Sequence, residues 1–455
     1  MSKKKYLKWY NKVAYGSGDF AAICSFGLMT SFIMIYCTDV MGMNSGIIGT
    51  LMLASKLLDG ITDVICGRLI DRTKSRLGKA RPWMLFSQIG VSGSLFLLFS
   101  IPQAAPNVQY VYFFIVYTAL NALFYTANNI AYSTLTALIT RNGEERVQLG
   151  SIRFIFSLIS NLIITTFAMN IVTAFGGGAV GWKRTALLFG TIALIVNTFS
   201  CLMVKELPDD EFDENPQKVT SQNNISFFQS VKYLLTNRYY IIILFMYLTD
   251  YITTGIMYGV AIYYMTYVLG NASLLGSFTL MRTIPMVIGL SFTPLLIKKA
   301  GSMYKLNLIE YSLAFASRVL FVIAAFTLNV PFMLLTYGLY NLFGSSVKGS
   351  MNALIAETSD YTWRKHHVRI DGTMFSCSSV GIKLGSGLGS AILGWLLSFG
   401  GYVGSAATQT AGAISMIKIL YVLVPTILAL VMIGLLSLLK VEKANQTLDS
   451  ERDKG

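Results

Sequence analysis

The sequence predicts an all-α integral membrane protein in which 12 transmembrane helices form two six-helix bundles. Three observations predict this fold class: an apolar composition, recurring apolar segments of spanning length, and one long polar stretch near the middle. Hydrophobic residues make up 54% of the 455 residues and charged residues only 13%, and the mean hydropathy is +0.58. A soluble protein of this length does not need so much apolar surface, so the composition indicates a polytopic membrane protein.

Apolar segments long enough to span a bilayer recur along the whole chain. A transmembrane helix needs about 20 such residues to cross roughly 30 Å of hydrocarbon. The predicted spans cover residues 17–38, 45–70, 83–101, 109–138, 149–174, 184–204, 239–269, 274–297, 304–328, 330–356, 373–399 and 411–440.

The long polar stretch 205–238 divides these spans six and six. It therefore predicts an N-terminal bundle, a cytoplasmic linker, a C-terminal bundle and a cytoplasmic tail, over residues 1–204, 205–238, 239–440 and 441–455. Within the linker, residues 223–235 have an amphipathic period that is typical of a helix on the membrane surface. A weak internal repeat between residues 133–150 and 350–372 agrees with two bundles related by a shift of half the chain.

The net charge of +14 does not indicate nucleic-acid binding, because the basic residues lie in alternate loops. Their distribution indicates the membrane topology instead. Loops rich in Lys and Arg stay in the cytoplasm. The basic segments are the N-terminus and the loops 68–81 and 364–369, with a basic tail at 440–443. Both termini are therefore predicted to be cytoplasmic, in an inner or plasma membrane, and the N-terminal segment is expected to be retained as part of the first helix. All five cysteines lie in apolar spans, so neither a disulfide framework nor a zinc site is expected.

Three charged residues interrupt the second span: Lys56, Asp59 and Asp63. A charged side chain at the bilayer centre costs at least ~2.5 kcal/mol, so such residues usually face water and mark an ion or substrate path. Asp59 and Asp63 are four residues apart and share one helix face, with Lys56 one turn earlier. The pattern predicts a transporter.

Motifs along the chain resemble those of the glycoside-pentoside-hexuronide:cation symporters, the group of melibiose permease within the major facilitator superfamily. The loop between the second and third spans carries Gly67, Asp71, Arg72, Gly78 and Pro82 in the superfamily's spacing. Further matches are Tyr15-Gly-Ser-Gly-Asp19-Phe20, Tyr36-Cys-Thr38-Asp39-Val40, Asp59-x-x-x-Asp63, Lys79-Ala-Arg81-Pro82-Trp83, Glu145-Arg146, Arg153-Phe154 and Lys383-Leu-Gly-Ser386. The resemblance implies the major facilitator fold and cation-coupled import of a sugar or glycoside by alternating access.

The resemblance also implies a coupling-cation site at Asp59, Asp63 and Thr126. The chemistry agrees, because two carboxylates and a hydroxyl supply the several oxygen ligands that Na⁺ prefers. Thr62 stands where melibiose permease has an asparagine, which leaves Na⁺, Li⁺ and H⁺ open as the coupling ion; no other cofactor is predicted. The alternative for these acids is a structural salt bridge with Lys56.

The sugar site departs from melibiose permease. Tyr125, Arg153 and Lys383 keep the family pattern. At the positions of the two sugar-binding carboxylates of melibiose permease, however, this sequence has Ile23 and Asn129. The predicted substrate-binding residues are Tyr125, Asn129, Ser133, Arg153, Lys348, Ser379 and Lys383. Replacing acids while gaining Lys348 makes the site more positive, which favours an acidic, hexuronide-like sugar. Lys348 could instead snorkel or pair with Glu357 or Asp360.

Charged residues in equivalent cytoplasmic loops are predicted to close an inner gate: Asp71, Arg72, Glu145, Arg146, Arg364 and Arg369. Asp19 is expected to be a gate or fold contact, and Asp250, Glu310 and Arg318 are expected to pair structurally. The adjacent histidines at 366 and 367 lack further ligands, so no metal site is predicted.

The expected partners are a small sugar, a monovalent cation and membrane lipid, and the chain is expected to be a monomer that binds no nucleic acid. An enzyme is not predicted, because no nucleophile and base pair occurs in the spans. Two alternatives keep the membrane fold. One is a carrier of a lipid-like or other non-sugar solute, and the other is a sensor that binds a solute without moving it.

Overall fold

The computed structural model describes residues 5–208, 227–366, 368, 374–404, 406 and 408–452, and within these ranges it contains helices and no strand. In chain order the helices are α1 (Trp9–Ile35), α2 (Ser45–Arg72), α3 (Arg81–Leu98), α4 (Pro106–Thr118), α5 (Thr126–Leu138), α6 (Gly143–Ala174), α7 (Gly178–Leu202), α8 (Phe227–Thr236), α9 (Arg238–Tyr263), α10 (Leu274–Ala300), α11 (Met303–Phe326), α12 (Val330–Phe343), α13 (Ser345–His366), α14 (Ser376–Phe399), α15 (Ala411–Lys418), α16 (Val424–Leu438) and α17 (Val441–Arg452).

Among the described residues, four short π-helical segments extend or join these helices. They are Tyr36–Val40, Ala119–Tyr125, Tyr264–Val268 and Ile419–Leu423. The second makes α4 and α5 one continuous span, and the fourth does the same for α15 and α16. A π turn adds a residue to the helical turn and often marks a functional site.

Within the described residues, nine helices are long and apolar enough to cross a membrane. They coincide with nine of the predicted spans. The other three predicted spans correspond to α2, α3 and the pair α12 and α13, so the count of 12 stays a prediction. The helix α8 lies in the predicted amphipathic segment 223–235, while residues 209–226 of the linker are outside the described ranges.

Local sequence signals set several helix starts. The side chain of Asn44 accepts hydrogen bonds from the backbone N–H groups of Gly46 (2.9 Å) and Ile47 (3.2 Å). Asn142 and Asn329 cap α6 and α12 in the same way. These side chains satisfy backbone donors that have no partner inside the helix.

The chain forms two compact units. The first unit comprises Met1–Glu214, Tyr258–Gly276 and Ser390–Ile417. In it, α1 packs against α6 and α7, and α3 packs against α5 and α7. Reciprocal hydrogen bonds join α1 to α5, because each tyrosine hydroxyl of Tyr15 and Tyr132 donates to the other's backbone carbonyl (2.5 and 2.6 Å).

The second unit comprises Asn215–Met257, Ser277–Gly389 and Lys418–Gly455. Its buried core joins side chains of α9, α13 and α16, including Ile243, Met351 and Met432. The helix α14 approaches α9 closely at Gly389, where a Cβ atom would lie 2.5 Å from the carbonyl oxygen of Ile252. Glycine here lets the two helix backbones touch. The predicted bundles 1–204 and 239–440 divide the chain at other residues than these units do, and that division stays a prediction.

Candidate functional site

The predicted cation-site residues Asp59 and Thr126 come together in the first unit. Asp59 lies midway along α2 and is only 6% exposed. The hydroxyl of Thr126, the first residue after the π segment Ala119–Tyr125, donates to the Asp59 carboxylate. A buried carboxylate and a hydroxyl from a neighbouring helix thus offer adjacent oxygen atoms.

Asn121 adds an amide to this group. It lies inside the π segment and is 1% exposed, and its Oδ1 accepts a hydrogen bond from the Lys56 ammonium at 2.5 Å. Asn121 is not among the residues predicted from the sequence, although an amide in an apolar span, five residues before Thr126, was a usable signal.

The remaining predicted residues of this group lie close by in sequence and space. Asp63 follows Asp59 by one turn and is partly buried, whereas the Thr62 hydroxyl donates to the backbone oxygen of Asp59 at 3.1 Å. Tyr125 stacks on Phe26 with ring centroids 4.5 Å apart, and the Lys56 ammonium lies 5.2 Å from the Phe26 ring. Tyr125 therefore adjoins the cation group.

Arg153, a predicted sugar ligand, forms an ion pair within the first unit. Its Nε and Nη2 atoms lie 2.7 and 3.3 Å from the two carboxylate oxygens of Asp19. The guanidinium also lies over the Tyr132 ring, 4.0 Å from its centroid. Both charged side chains are 19% exposed. The Asp19 carboxylate on α1 therefore fixes the orientation of the Arg153 guanidinium on α6.

Lys348 forms an ion pair within the second unit, and its partner differs from those considered in the sequence analysis. Its ammonium lies 3.0 Å from Asp250 Oδ1 on α9. The carboxylates suggested earlier are engaged elsewhere, since Glu357 accepts from Asn445 at 2.9 Å and Asp360 lies 3.8 Å from Arg364. The alternative that Lys348 pairs with Glu357 or Asp360 is therefore wrong, because its partner is Asp250.

Polar and aromatic residues lie within about one turn of the Lys348 pair on the same two helices, α9 and α13. The Tyr247 hydroxyl donates to Asn352 Oδ1 at 3.0 Å, and the Tyr247 ring is nearly parallel to that of Tyr251. Side-chain exposure is 44% for Lys348 and 19% for Asp250, so the pair is accessible to a solute.

The other predicted substrate residues lie on two helices. Asn129 and Ser133 are exposed on α5, Ser379 is exposed on α14, and Lys383 is partly buried one turn later on α14. These positions remain predictions.

Two residues that were expected to pair structurally, Glu310 and Arg318, also have partners in the second unit. Glu310 accepts a hydrogen bond from Ser346. The fully buried Arg318 donates to the backbone oxygen of Tyr421 at 2.7 Å and lies 4.6 Å from the Phe321 ring centroid. Among the described residues, Arg318 is thus held by a carbonyl and an aromatic face.

The predicted gate residues make local contacts in each unit. The buried Glu145 lies 3.1 Å from the Lys12 ammonium and accepts from the Thr140 hydroxyl at 2.7 Å, while Arg146 donates to the Thr140 carbonyl. Asp71 and Arg72 are exposed at the end of α2.

In the second unit Arg364 lies 2.8 Å from Asp449, and this hydrogen bond raises the pKa of the guanidinium. Arg369, the last predicted gate residue, is outside the described residues. Desolvation by its surroundings lowers the pKa of the nearby His366.

A carboxylate that was not predicted as functional from the sequence anchors the basic loop before α3. Glu206 accepts backbone N–H bonds from Lys79 (2.7 Å), Ala80 (2.9 Å) and Arg81 (3.0 Å). The loop turns at Gly78, whose φ is +107° and where a Cβ atom would collide with the Glu206 carboxylate. Negative charge at a helix start satisfies free N–H groups and complements the helix dipole.

The second unit repeats this arrangement. Glu442, just after α16, accepts from the Ser302 hydroxyl and from the backbone N–H of Met303 at 2.9 Å, at the start of α11. The third and ninth predicted spans thus each begin at a glutamate that follows the sixth or twelfth span. This correspondence agrees with the internal repeat of the sequence.

Glu206→Gln is expected to lower thermal stability, because three backbone donors lose a charged acceptor. Hydrogen bonds to charged groups contribute roughly 1.5–3 kcal/mol. The melting temperature in detergent, followed by intrinsic tryptophan fluorescence, should fall by several degrees. Glu144→Gln, which changes an exposed glutamate in the first turn of α6, is the control. Equal melting temperatures for the two variants would contradict the anchoring role.

Comparison with known proteins identifies the family. The profile described as "MFS/sugar transport protein" matches residues 14–443. The isoprimeverose transporter of Lactiplantibacillus pentosus is 31% identical over 428 residues, which cover 93% of this chain and 87% of that protein. The glucuronide carrier protein homolog of Escherichia coli strain K12 is 26% identical over 427 residues, covering 92% and 90%.

Solved structures share the fold at low sequence identity. A single-substitution mutant of a nucleoside transporter superposes with a TM-score of 0.67 at 11% identity, covering 93% of this chain and 99% of that one. A D-xylose-proton symporter gives a TM-score of 0.62 at 14% identity, covering 94% and 97%. These likenesses confirm the predicted major facilitator fold. The chain therefore belongs to the MFS/sugar transport protein family: it is a multi-pass membrane transporter and not an enzyme, and the prediction of cation-coupled sugar symport is confirmed at the level of the family.

Proposed function

We propose that this chain imports a neutral glycoside together with Na⁺ by alternating access. The cation would be held by Asp59, Asp63 and Thr126. The pair Arg153 with Asp19 in the first unit and the pair Lys348 with Asp250 in the second unit are each a candidate sugar contact. In this proposal the protein is a monomer in the cell membrane with both termini in the cytoplasm, as the basic loops indicate. The protein would have two bundles, 1–204 and 239–440, and its substrate site would open to one side of the membrane and then to the other.

The observation that carries the neutral substrate is that two cations of the predicted sugar site have carboxylate partners. The acidic-sugar hypothesis depended on buried cations without a counter-charge. Arg153 lies 2.7 Å from Asp19, and Lys348 lies 3.0 Å from Asp250. Each pair is neutral overall, so a substrate anion is not needed to offset these charges.

Carboxylate–cation pairs suit sugar hydroxyls. A hydroxyl both donates and accepts, so it can donate to Asp19 or Asp250 while it accepts from Arg153 or Lys348. Hydrogen bonds with a charged partner are shorter and about twice as strong as neutral ones. The partial exposure of both pairs leaves these groups able to contact a solute. The name of the relative that transports isoprimeverose also favours a glycoside cargo.

Sodium is the proposed coupling ion because the group around Asp59 offers oxygen atoms of several kinds. The carboxylates of Asp59 and Asp63 and the hydroxyl of Thr126 come from two neighbouring segments. Asn121 Oδ1 faces the Lys56 ammonium 2.5 Å away and could supply a further ligand if Lys56 moves. Proton coupling would need only one carboxylate.

Uptake into proteoliposomes tests both parts of the proposal. A panel of labelled neutral glycosides, including isoprimeverose, should accumulate under an inward Na⁺ gradient, and unlabelled glucuronides should not compete. The control gradients are Li⁺ and H⁺ at equal driving force. Glucuronide uptake with no neutral uptake would reject the neutral substrate, while accumulation under H⁺ alone would reject Na⁺. Absence of uptake and exchange for every sugar would reject sugar transport itself.

A further inference from the structure

A single carboxylate gathers three hydroxyl donors at the end of α1. Asp39 lies in the π segment Tyr36–Val40 that follows this helix. It accepts hydrogen bonds from Tyr267 (2.5 Å), Tyr402 (2.6 Å) and the neighbouring Thr38 (2.7 Å).

This group joins distant parts of the sequence. Tyr267 belongs to the π segment Tyr264–Val268 at the end of α9, and Tyr402 follows α14. Tyr263 adds a hydrogen bond between its hydroxyl and that of Thr38 at 2.8 Å. All these residues belong to the first compact unit, yet α1 comes from the N-terminal half of the sequence and the tyrosines come from the C-terminal half.

The aromatic rings and the backbone pack as closely as the hydroxyls. The Tyr402 ring lies edge-on to those of Tyr263 and Tyr267, with centroids 5.2 and 5.7 Å apart. Gly404 lies against the Thr38 carbonyl, where a Cβ atom would collide with the oxygen. Three chain segments are therefore in close contact at this end.

The chemistry of the contact suits reversible opening. The described partners of Asp39 are neutral hydroxyls, which water can replace one for one when the segments separate. Burial raises the pKa of Tyr402, so this hydroxyl keeps its proton and remains a donor. Two of the three segments are π turns, a geometry often found at functional sites.

We propose that Asp39, Tyr263, Tyr267 and Tyr402 form a latch that closes the translocation path at the end of the helices opposite the basic loops. Asp39 is a positioning residue: it holds the end of α1 against the ends of α9 and α14 while the path is closed, and these segments separate when the path opens at this end. The motif Tyr36-Cys-Thr38-Asp39-Val40, one of those that resemble the symporter family, thereby gains a mechanical role. The inference depends on alternating access in this family and not on which sugar or cation is carried.

The native Cys37 provides a test of the latch. It is fully buried and lies two residues before Asp39. Opening the latch should expose it to a membrane-impermeant maleimide, and peptide mass spectrometry separates its labelling from that of the other cysteines. Asp39→Asn and Tyr402→Phe in reconstituted full-length protein should each raise the labelling rate of Cys37 about tenfold, the effect of losing a charge-assisted hydrogen bond.

Tyr110→Phe is the matched control, because its hydroxyl accepts from the backbone N–H of Asn44 at the same end and so joins α4 to the start of α2, outside the Asp39 group. The control should label at the parental rate. In the latch variants, exchange of cargo should persist while uphill accumulation falls, because a path that fails to close at one end leaks whenever the other end opens.

Parental Cys37 labelling in folded Asp39→Asn and Tyr402→Phe proteins would overturn the latch. If Asp39→Asn fails to fold, Tyr402→Phe alone decides, since it removes only one hydroxyl. A parent protein that moves no sugar would reject the proposed function but leave the labelling result intact.

Discussion

Asp59→Asn is expected to abolish cation-driven accumulation of sugar while leaving sugar exchange measurable. The substitution removes a buried carboxylate that accepts the Thr126 hydroxyl and carries the negative charge of the proposed cation site. Loss of one charged hydrogen-bonding partner costs roughly 1.5–3 kcal/mol. Since about 1.4 kcal/mol corresponds to tenfold, cation affinity should fall by about 10–100-fold or more. Uptake under an imposed Na⁺ gradient, beside counterflow without a gradient, measures the two effects separately.

Changes at Thr126 distinguish a ligand from a packing role at the same site. Thr126→Val keeps the shape but loses the hydroxyl, so it should raise the Na⁺ concentration for half-maximal uptake. Thr126→Ser keeps the hydroxyl and should remain close to the parent. Equal Na⁺ dependence in the parent, Asp59→Asn and Thr126→Val proteins would place the coupling ion elsewhere. Unchanged melting temperatures are required for either conclusion.

The fold was predictable because its signals are local and repeated. Spanning length, apolar composition and the polar stretch at 205–238 are properties of short windows, so nine of the predicted spans coincide with apolar helices among the described residues. The grouping of Asp59 with Thr126 came from the family resemblance, and the structure brings the two side chains together.

Pairing across the fold was less predictable. The choice of Asp250 for Lys348, rather than Glu357 or Asp360, depends on how α9 and α13 pack. A charge 98 positions away leaves no periodic signal in the chain. Glu206 was missed for the same reason, because its partners are backbone N–H groups of a loop far earlier in the sequence. The π turn that positions Asn121 is likewise a product of packing rather than of a sequence motif.

Asp19→Asn is expected to weaken the binding of a neutral sugar and to strengthen the binding of an acidic one. In the parent, Arg153 lies 2.7 Å from the Asp19 carboxylate, and both side chains are 19% exposed. If the cargo is neutral, its hydroxyls lose a charged acceptor, and the Michaelis constant should rise about 10–100-fold, the effect of roughly 1.5–3 kcal/mol. If the cargo is acidic, the substitution frees a guanidinium for its carboxylate, and glucuronide binding should become tighter.

A double variant separates this effect from loss of stability. Removing one partner of a fully buried pair costs ~3–5 kcal/mol, and the partial exposure here should bring the cost below that range. Asp19→Asn combined with Arg153→Gln leaves no lone charge, so its melting temperature should recover towards the parent. Neutral-sugar binding should stay weak in this double variant, because both charged hydrogen-bonding groups are gone. Recovery of binding together with stability would instead mean that the pair only holds α1 against α6, and that the sugar is bound by other residues.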